Sequence, residues 1–179
     1  MEISALLENE EVVKVNPSIL QELNPEKIRI AVAPSHDADF LKAVEDSGLN
    51  VRTLKLGNKK YILAYRDLDF FDEPKKSRSE ESGAIYLAER NAGGRSLLLQ
   101  YLPPFTPTSR HFHKITTEHF HGLVGRCIIE GKSAILCQDT VIVTPFTAHQ
   151  LRTYEDHSLA LIEMIGNPAG LSMNDHFYV

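Results

Sequence analysis

The stretch Arg110-His111-Phe112-His113-Lys114-Ile115-Thr116-Thr117-Glu118-His119-Phe120-His121-Gly122-Leu123-Val124-Gly125, followed later by Thr144-Pro145-Phe146-Thr147-Ala148-His149, decides how this chain reads. His111 and His113 are one residue apart, and side chains with that spacing share a face of an extended strand. A helical site would space its histidines four apart, as in the H-E-x-x-H zinc helices, so the spacing argues for a β site. His111, His113, Glu118 and His149 together form a candidate ligand set for one divalent transition metal, provided that the chain brings position 149 back to position 111. Imidazole suits zinc, copper, iron and nickel, and a carboxylate widens the choice towards manganese and iron. Iron or manganese is the favoured ion, with zinc or nickel as alternatives. Mixed His and Glu ligation describes an open site better than a closed, cysteine-rich structural zinc.

The same alternation divides the remaining histidines. If a strand begins at Glu118, then Glu118, Phe120, Gly122 and Val124 share one face while His119 and His121 point to the other. That removes His119 and His121 from the metal set and leaves them as exterior or sheet-packing residues. An acid or base role near the mouth of the site is their functional alternative. Phe112, Phe120, Val124, Phe146 and Leu151 are candidate pocket walls. Arg110, Lys114, Arg126 and Arg152 are the nearest cations in sequence and read as solvent-facing, while Gln100, Tyr101 and Gln150 are unassigned polar candidates.

The whole chain sets bounds on this site. At 179 residues it is long enough for one ordinary domain or a domain with an appendage. Hydrophobic residues at 42% and charged residues at 24% are those of a globular protein. A formal charge of -5 and a pI near 5.9, with no Lys/Arg cluster interleaved with aromatics, give no footprint for nucleic acid. The first residues carry neither a basic lead nor an apolar signal core, and no run approaches the roughly 18 apolar residues of a membrane span. A cytoplasmic address and a small-molecule substrate are the resulting expectations. Cys127 and Cys137 flank the Glu130-Gly131-Lys132-Ser133 turn and read as two reduced, buried strand residues.

Taken in order, residues 1–27 read as a polar lead, helical or irregular, with a short helix over 18–23. Residues 27–33 alternate as a strand, and Ser35 or Asp37 caps a helix over 39–45 that ends at Gly48. Residues 50–56 and 60–66 form a hairpin joined by Gly57-Asn58-Lys59, which makes the N-terminal third a small β-α-β-β extension. His36 and Asp37 at the Pro34-Ser35 corner invite a functional reading, but a capped helix start with a surface histidine explains them as well. The polar run from Asp72 to Gly83 reads as a solvated connector, and the boundary is placed between residues 82 and 83. Beyond it, short strands are expected over 84–88, 96–101, 120–129, 132–137, 140–143, 149–154 and 158–165. This spacing is that of an antiparallel sandwich or barrel. The end, from Gly166 to Val179, has no clear period and reads as a tail along the surface or across to a second subunit.

The spacing H-x-H-x4-E-x6-G, realised as His111, His113, Glu118 and Gly125, resembles the first motif of the cupin superfamily. Residues from Asp139 to His149 are similar to its second motif, which supplies the last metal ligand. The departures fall at turn positions: Phe105, Gln138 and Phe146 stand where the family has glycine, and Thr144 where it has proline. The resemblance implies a mainly β, antiparallel jelly-roll barrel over residues 83–179, one divalent metal, and a homodimer. Mixed His and Glu ligation with open positions suggests a metal-dependent oxygenase or oxidase acting on a small organic molecule, carboxylate or enediol-like. The alternatives are a metal-dependent sugar or sugar-phosphate isomerase and a non-catalytic binding or regulatory module. A germin-type oxalate oxidase has similar ligand spacing but carries a secretion signal that is not seen here.

Overall fold

The computed structural model describes residues 3–7, 12–15, 28–65, 75–76, 79, 82–92, 95–132, 134–136, 140–168 and 175–179. The chain divides into two compact units, Met1–Asp69 and Phe70–Val179. The expected boundary lay further on, inside the polar run. The strand Lys75–Lys76 within that run pairs antiparallel with Tyr86 and Ile85, which draws it into the second unit.

In the first unit, β1 (Ile3–Leu7), β2 (Val12–Val15), β3 (Ile28–Pro34), β4 (Asn50–Leu56) and β5 (Lys59–Tyr65) form a five-stranded antiparallel sheet in the order β2-β1-β3-β5-β4. The β-α-β-β extension is therefore larger than expected, because residues 3–7 and 12–15 are strands and not a helical or irregular lead. β1 pairs with both β2 and β3. The β-branched Ile3, Val12, Val13 and Val15 favour a pleated surface, a preference masked in sequence by the acidic residues between the two strands. The expected helix over 18–23 lies outside the described residues. Helix α1 (Ala38–Glu45) begins at Asp37, whose carboxylate accepts the Phe40 N–H at 3.0 Å, and His36 beside it is exposed. The corner is thus a helix cap. Phe40, Ala43 and Val44 pack on Ala31, Ala33, Ile62 and Ala64 of β3 and β5, where short alanine side chains let the helix approach the sheet. The hairpin from β4 to β5 turns at Gly57 with φ +62°.

The second unit contains β6 (Lys75–Lys76), β7 (Ile85–Ala92), β8 (Arg95–Leu102), β9 (His111–Phe112), β10 (Thr117–Gly125), β11 (Cys127–Glu130), β12 (Ala134–Leu136), β13 (Thr140–Val143), β14 (Gln150–Arg152), β15 (Ser158–Ile165) and β16 (Phe177–Tyr178). One sheet runs β13-β10-β15-β8-β7-β6, a second β12-β11-β14, and β16 pairs with β9. Antiparallel bridges between Pro107 and Arg152 and between His111 and His149 join β9 to the second sheet beyond β14. Phe120, Leu98, Ile162 and Met164 from the first sheet share one core with Cys127, Ile129 and Leu151 from the second. Burying each such side chain contributes about 1.5–3 kcal/mol. Among the described residues no helix is long and apolar enough to cross a membrane.

The single strand expected over 120–129 is two. At Gly125 the backbone turns with φ +67°, and a Cβ there would lie 1.7 Å from the His157 carbonyl oxygen. The chain then leaves β10 in one sheet and enters β11 in the other. A bulge between Gly122 and Val124 precedes this turn, so Val124 pairs with Leu159 and leaves the Phe120 face assigned to it by alternation. Cys127 is a buried free thiol, and Cys137 lies outside the described residues.

Candidate metal centre

The return of position 149 is a backbone event. His111 N–H donates to the His149 carbonyl at 3.0 Å and His149 N–H to the His111 carbonyl at 2.8 Å, a reciprocal antiparallel pair that sets the two rings 4.4 Å apart. Gly131, in the turn after β11, permits the passage. Its φ is +92°, and a Cβ there would lie 2.0 Å from the Ala148 carbonyl oxygen and 3.3 Å from His149 Cα. Glu118 enters from β10 on the core-facing side, between Val143 and Met164 on the flanking strands.

The structure brings His111, His113, Glu118 and His149 together, with one donor atom of each within 4.8 Å of all the others and all four side chains buried. Each imidazole is oriented by a backbone carbonyl: His111 Nδ1 bonds to Ser109 O at 3.0 Å, His113 Nδ1 to Asp175 O at 2.6 Å, and His149 Nδ1 to Thr147 O at 3.0 Å. A carbonyl oxygen only accepts, so each Nδ1 carries a proton, and in the neutral ring Nε2 keeps its lone pair. His113 Nε2 lies 3.5 Å from Glu118 Oε1 and His149 Nε2 2.8 Å from Glu118 Oε2. Despite that proximity, His113 Nε2, His149 Nε2 and Glu118 Oε2 are buried without an aligned hydrogen bond. Buried polar atoms left in this state cost stability unless something satisfies them. Three inward lone pairs beside a carboxylate are what a divalent cation satisfies, and the donor set fits one.

For His111 and Glu118 the electrostatics point the same way. Burial pushes the His111 imidazole down to about 3, against the attraction of Glu118 and with the adjacent His149 and His176 adding to the depression. A neutral ring is the form that binds metal. Burial also opposes the charge on His113, but the hydrogen-bonding and charge of Glu118, with Asp175 behind, outweigh it and raise the value. Burial would raise Glu118, yet His149 and His113 hold its carboxyl well below the usual range, so it stays ionised.

Two residues of the C-terminal segment belong to this centre and had no motif to announce them. Asp175 collects the loop between His113 and Glu118: Oδ1 accepts the Lys114 and Ile115 N–H groups at 2.8 and 3.1 Å, and Oδ2 accepts the Thr116 N–H at 2.9 Å and its hydroxyl at 2.6 Å. His176 stacks on His111 at 3.8 Å between ring centroids and meets the edge of His113 at 5.1 Å. The last residues of the expected surface tail, 175–179, therefore lie on the site, because Phe177 and Tyr178 pair with Phe112 and His111. A carboxylate placed directly before a histidine near a chain end was the available signal.

Phe120 faces His149 edge-on at 5.8 Å and Leu151 shares its core, so both are interior walls. Phe112 is not a wall, since the parity that places His111 and His113 on one side turns its ring to stack on Phe177. Phe146 is not one either, being 71% exposed. Lys114 lies over the Phe177 ring, Arg152 pairs with Glu130 at 3.0 Å, and Arg110 and Arg126 are exposed. Gln100 donates to the Tyr86 hydroxyl at 3.4 Å and Gln150 to the Thr108 carbonyl at 2.5 Å. Burial raises the Tyr101 phenol, and its ring lies 5.9 Å from that of His157. His119 and His121 lie with Glu163 in a separate group. A surface pocket of about 390 Å³ between Phe105, Arg126 and Tyr154 shares no residue with the four ligands.

Two antiparallel sheets over one core, with an H-x-H strand, a Glu-bearing neighbour and a returning histidine, are what the sequence motif implied. The second unit has the mainly β, two-sheet antiparallel arrangement which that resemblance implied. No family model matches the sequence, and no curated protein matches it. Solved structures that it is similar to include a predicted oxalate decarboxylase from Thermotoga maritima, 17% identical over 56% of this chain and 96% of that one, with a TM-score of 0.47. KdgF from a Halomonas species is 14% identical over 55% and 95% of the two chains, with a TM-score of 0.45. A cupin 2 conserved barrel domain protein from Salinispora arenicola is 16% identical over 51% and 81%, with a TM-score of 0.41.

Proposed function

We propose that the second unit is a metal-dependent oxygenase or oxidase of a small organic molecule bearing adjacent oxygens, carboxylate or enediol-like. The observation that carries this reading is the orientation of the three imidazoles, each with its Nδ1 proton held by a backbone carbonyl, and with Nε2 of His113 and His149 3.5 and 2.8 Å from the Glu118 oxygens. His111, His113, Glu118 and His149 would hold one divalent ion, iron or manganese by donor type, with zinc or nickel as alternatives. Once bound, such an ion supplies polarisation of substrate oxygens and electron exchange with dioxygen. The chain's own groups do the rest. Glu118 offsets one positive charge, the backbone carbonyls keep the imidazoles in one tautomer, and Phe120 excludes water from the inner side. With four protein ligands, such an ion would remain open to a small substrate.

Elemental analysis of protein purified without added metal, combined with oxygen uptake on a panel of small dicarboxylates and enediols, tests the reading. Iron or manganese with substrate-dependent oxygen uptake is expected. Zinc or nickel without uptake would replace it with an isomerase, and no metal with a binding module. Metal content unchanged in both His113→Ala and His149→Ala would overturn the ligand assignment itself. The proposal includes a homodimer, on the sequence resemblance alone, for which light scattering should give a mass near twice 20.1 kDa.

A further inference from the structure

We propose that His119, His121 and Glu163 form a second divalent-metal site, for a zinc-class ion, on the face of β10 and β15 turned away from the first centre. The register places His119 directly across from Glu163, and His121 follows two residues later on the same face. One ligand atom from each lies within 4.8 Å of the other two. His121 and Glu163 are fully buried, at 0% exposure. The neighbours on that face, Leu97, Leu99 and Leu161, are also buried, so the group stands in an apolar surface where an imidazole and a carboxylate are costly unless partnered.

The neighbouring contacts orient the side chains as a ligand set. His121 Nδ1 bonds to the Thr140 hydroxyl at 2.9 Å, which turns Nε2 towards Glu163. Nε2 has no hydrogen-bond partner, and Glu163 Oε2 stands 3.9 Å away, beyond hydrogen-bond reach. Two donors about 2.1 Å from one tetrahedral ion stand about 3.4 Å apart, so a small rotation closes the pair around a cation. Arg95 pairs with Glu163 through Oε1, which orients the carboxylate and leaves Oε2 for the ion. Its positive charge also makes this the weaker of the two centres. His119, only partly buried, gives an ion a way in and leaves a fourth position for water.

The test uses the full chain stripped with chelator and titrated with Co²⁺ alone, read by calorimetry and by the visible absorption of the cobalt. Wild type should bind two equivalents, one tight and one weaker. His111→Ala/His149→Ala should lose the tight one and keep the other. His119→Ala should keep the tight equivalent and lose the weaker, while the metal-free protein melts with the wild type, since this side chain is the least buried of the three. A wild type binding one equivalent or none, or a His119→Ala variant binding two, overturns the proposal. Should the double variant fail to fold, the single His119→Ala titration decides it.

Discussion

Asp175→Asn isolates the contribution of the C-terminal segment to the metal centre. The carboxylate accepts two N–H groups on Oδ1, at 2.8 and 3.1 Å, and an N–H and a hydroxyl on Oδ2, at 2.9 and 2.6 Å. Asparagine keeps the first pair of acceptances and turns an NH₂ towards the second, so two charge-assisted bonds are lost. At about 1.5–3 kcal/mol each, and with the Thr116 hydroxyl free to rotate, the net cost is about 3 kcal/mol. That corresponds to a fall in Tm of roughly 6–12 °C. The main-chain carbonyl of Asp175, which accepts the His113 Nδ1 proton, remains in place. Metal affinity should therefore fall by about 10–100-fold through displacement of His113, not through loss of its partner. Burial would raise the Asp175 carboxyl, but Thr116 and the N–H groups of Lys114, Ile115 and Thr116 hold it below 3.8. A depressed carboxyl contributes stability that is present above the unfolded value and lost as pH falls through the folded one. The gap between wild type and variant should thus be constant near neutrality and close below about pH 3.8. Thermal melts across pH, with chelator competition for the metal, measure both effects. A variant that melts with the wild type and binds metal equally would refute the role of Asp175, and a gap unchanged in acid would refute its charge as the cause.

Gly131→Ala should lower metal affinity along with stability, since its Cβ would press on the Ala148 carbonyl that leads into His149; calorimetric titration of the purified variant checks this. Phe146→Gly should raise stability by about 1 kcal/mol, because a phenylalanine held at φ +63° carries backbone strain and this one is 71% exposed, with little burial to lose; denaturant titration measures it. In a Cys137→Ser background, Cys127 should resist a thiol reagent at pH 8 until the protein is unfolded. Burial raises that thiol to about 11, with the Ser158 hydroxyl opposing, and reaction at the rate of a free thiol in the native state would contradict this.

Phe105 and Phe146 show how far a pattern read from sequence carries. Both stand where the resembling family has glycine, and among the described residues they are the non-glycine positions with positive φ, at 56° and 63°. The turns are kept although the residue suited to them is not, because the backbone bonds around them, such as Phe146 N–H to the His113 carbonyl at 2.6 Å, hold the conformation. The β-strands from Thr140 and Ser158 were legible from their apolar runs. The opening strands of the first unit were not, because short apolar runs on either side of the acidic Glu8, Glu10 and Glu11 reveal strands only once a partner strand is beside them.

By itself the sequence determined which side chains share a face. Period-two alternation joined His111 to His113 and separated Glu118 from His119 and His121, and this local geometry needs nothing beyond the strand. Only the tertiary structure decided what meets across faces and strands. It brought His149 to His111 through a reciprocal pair of backbone bonds, folded Asp175 and His176 over the site through the pairing of β16 with β9, and placed Glu163 opposite His119. Those contacts depend on strand register and loop closure, which are set by the burial of a common core rather than by any neighbouring residue.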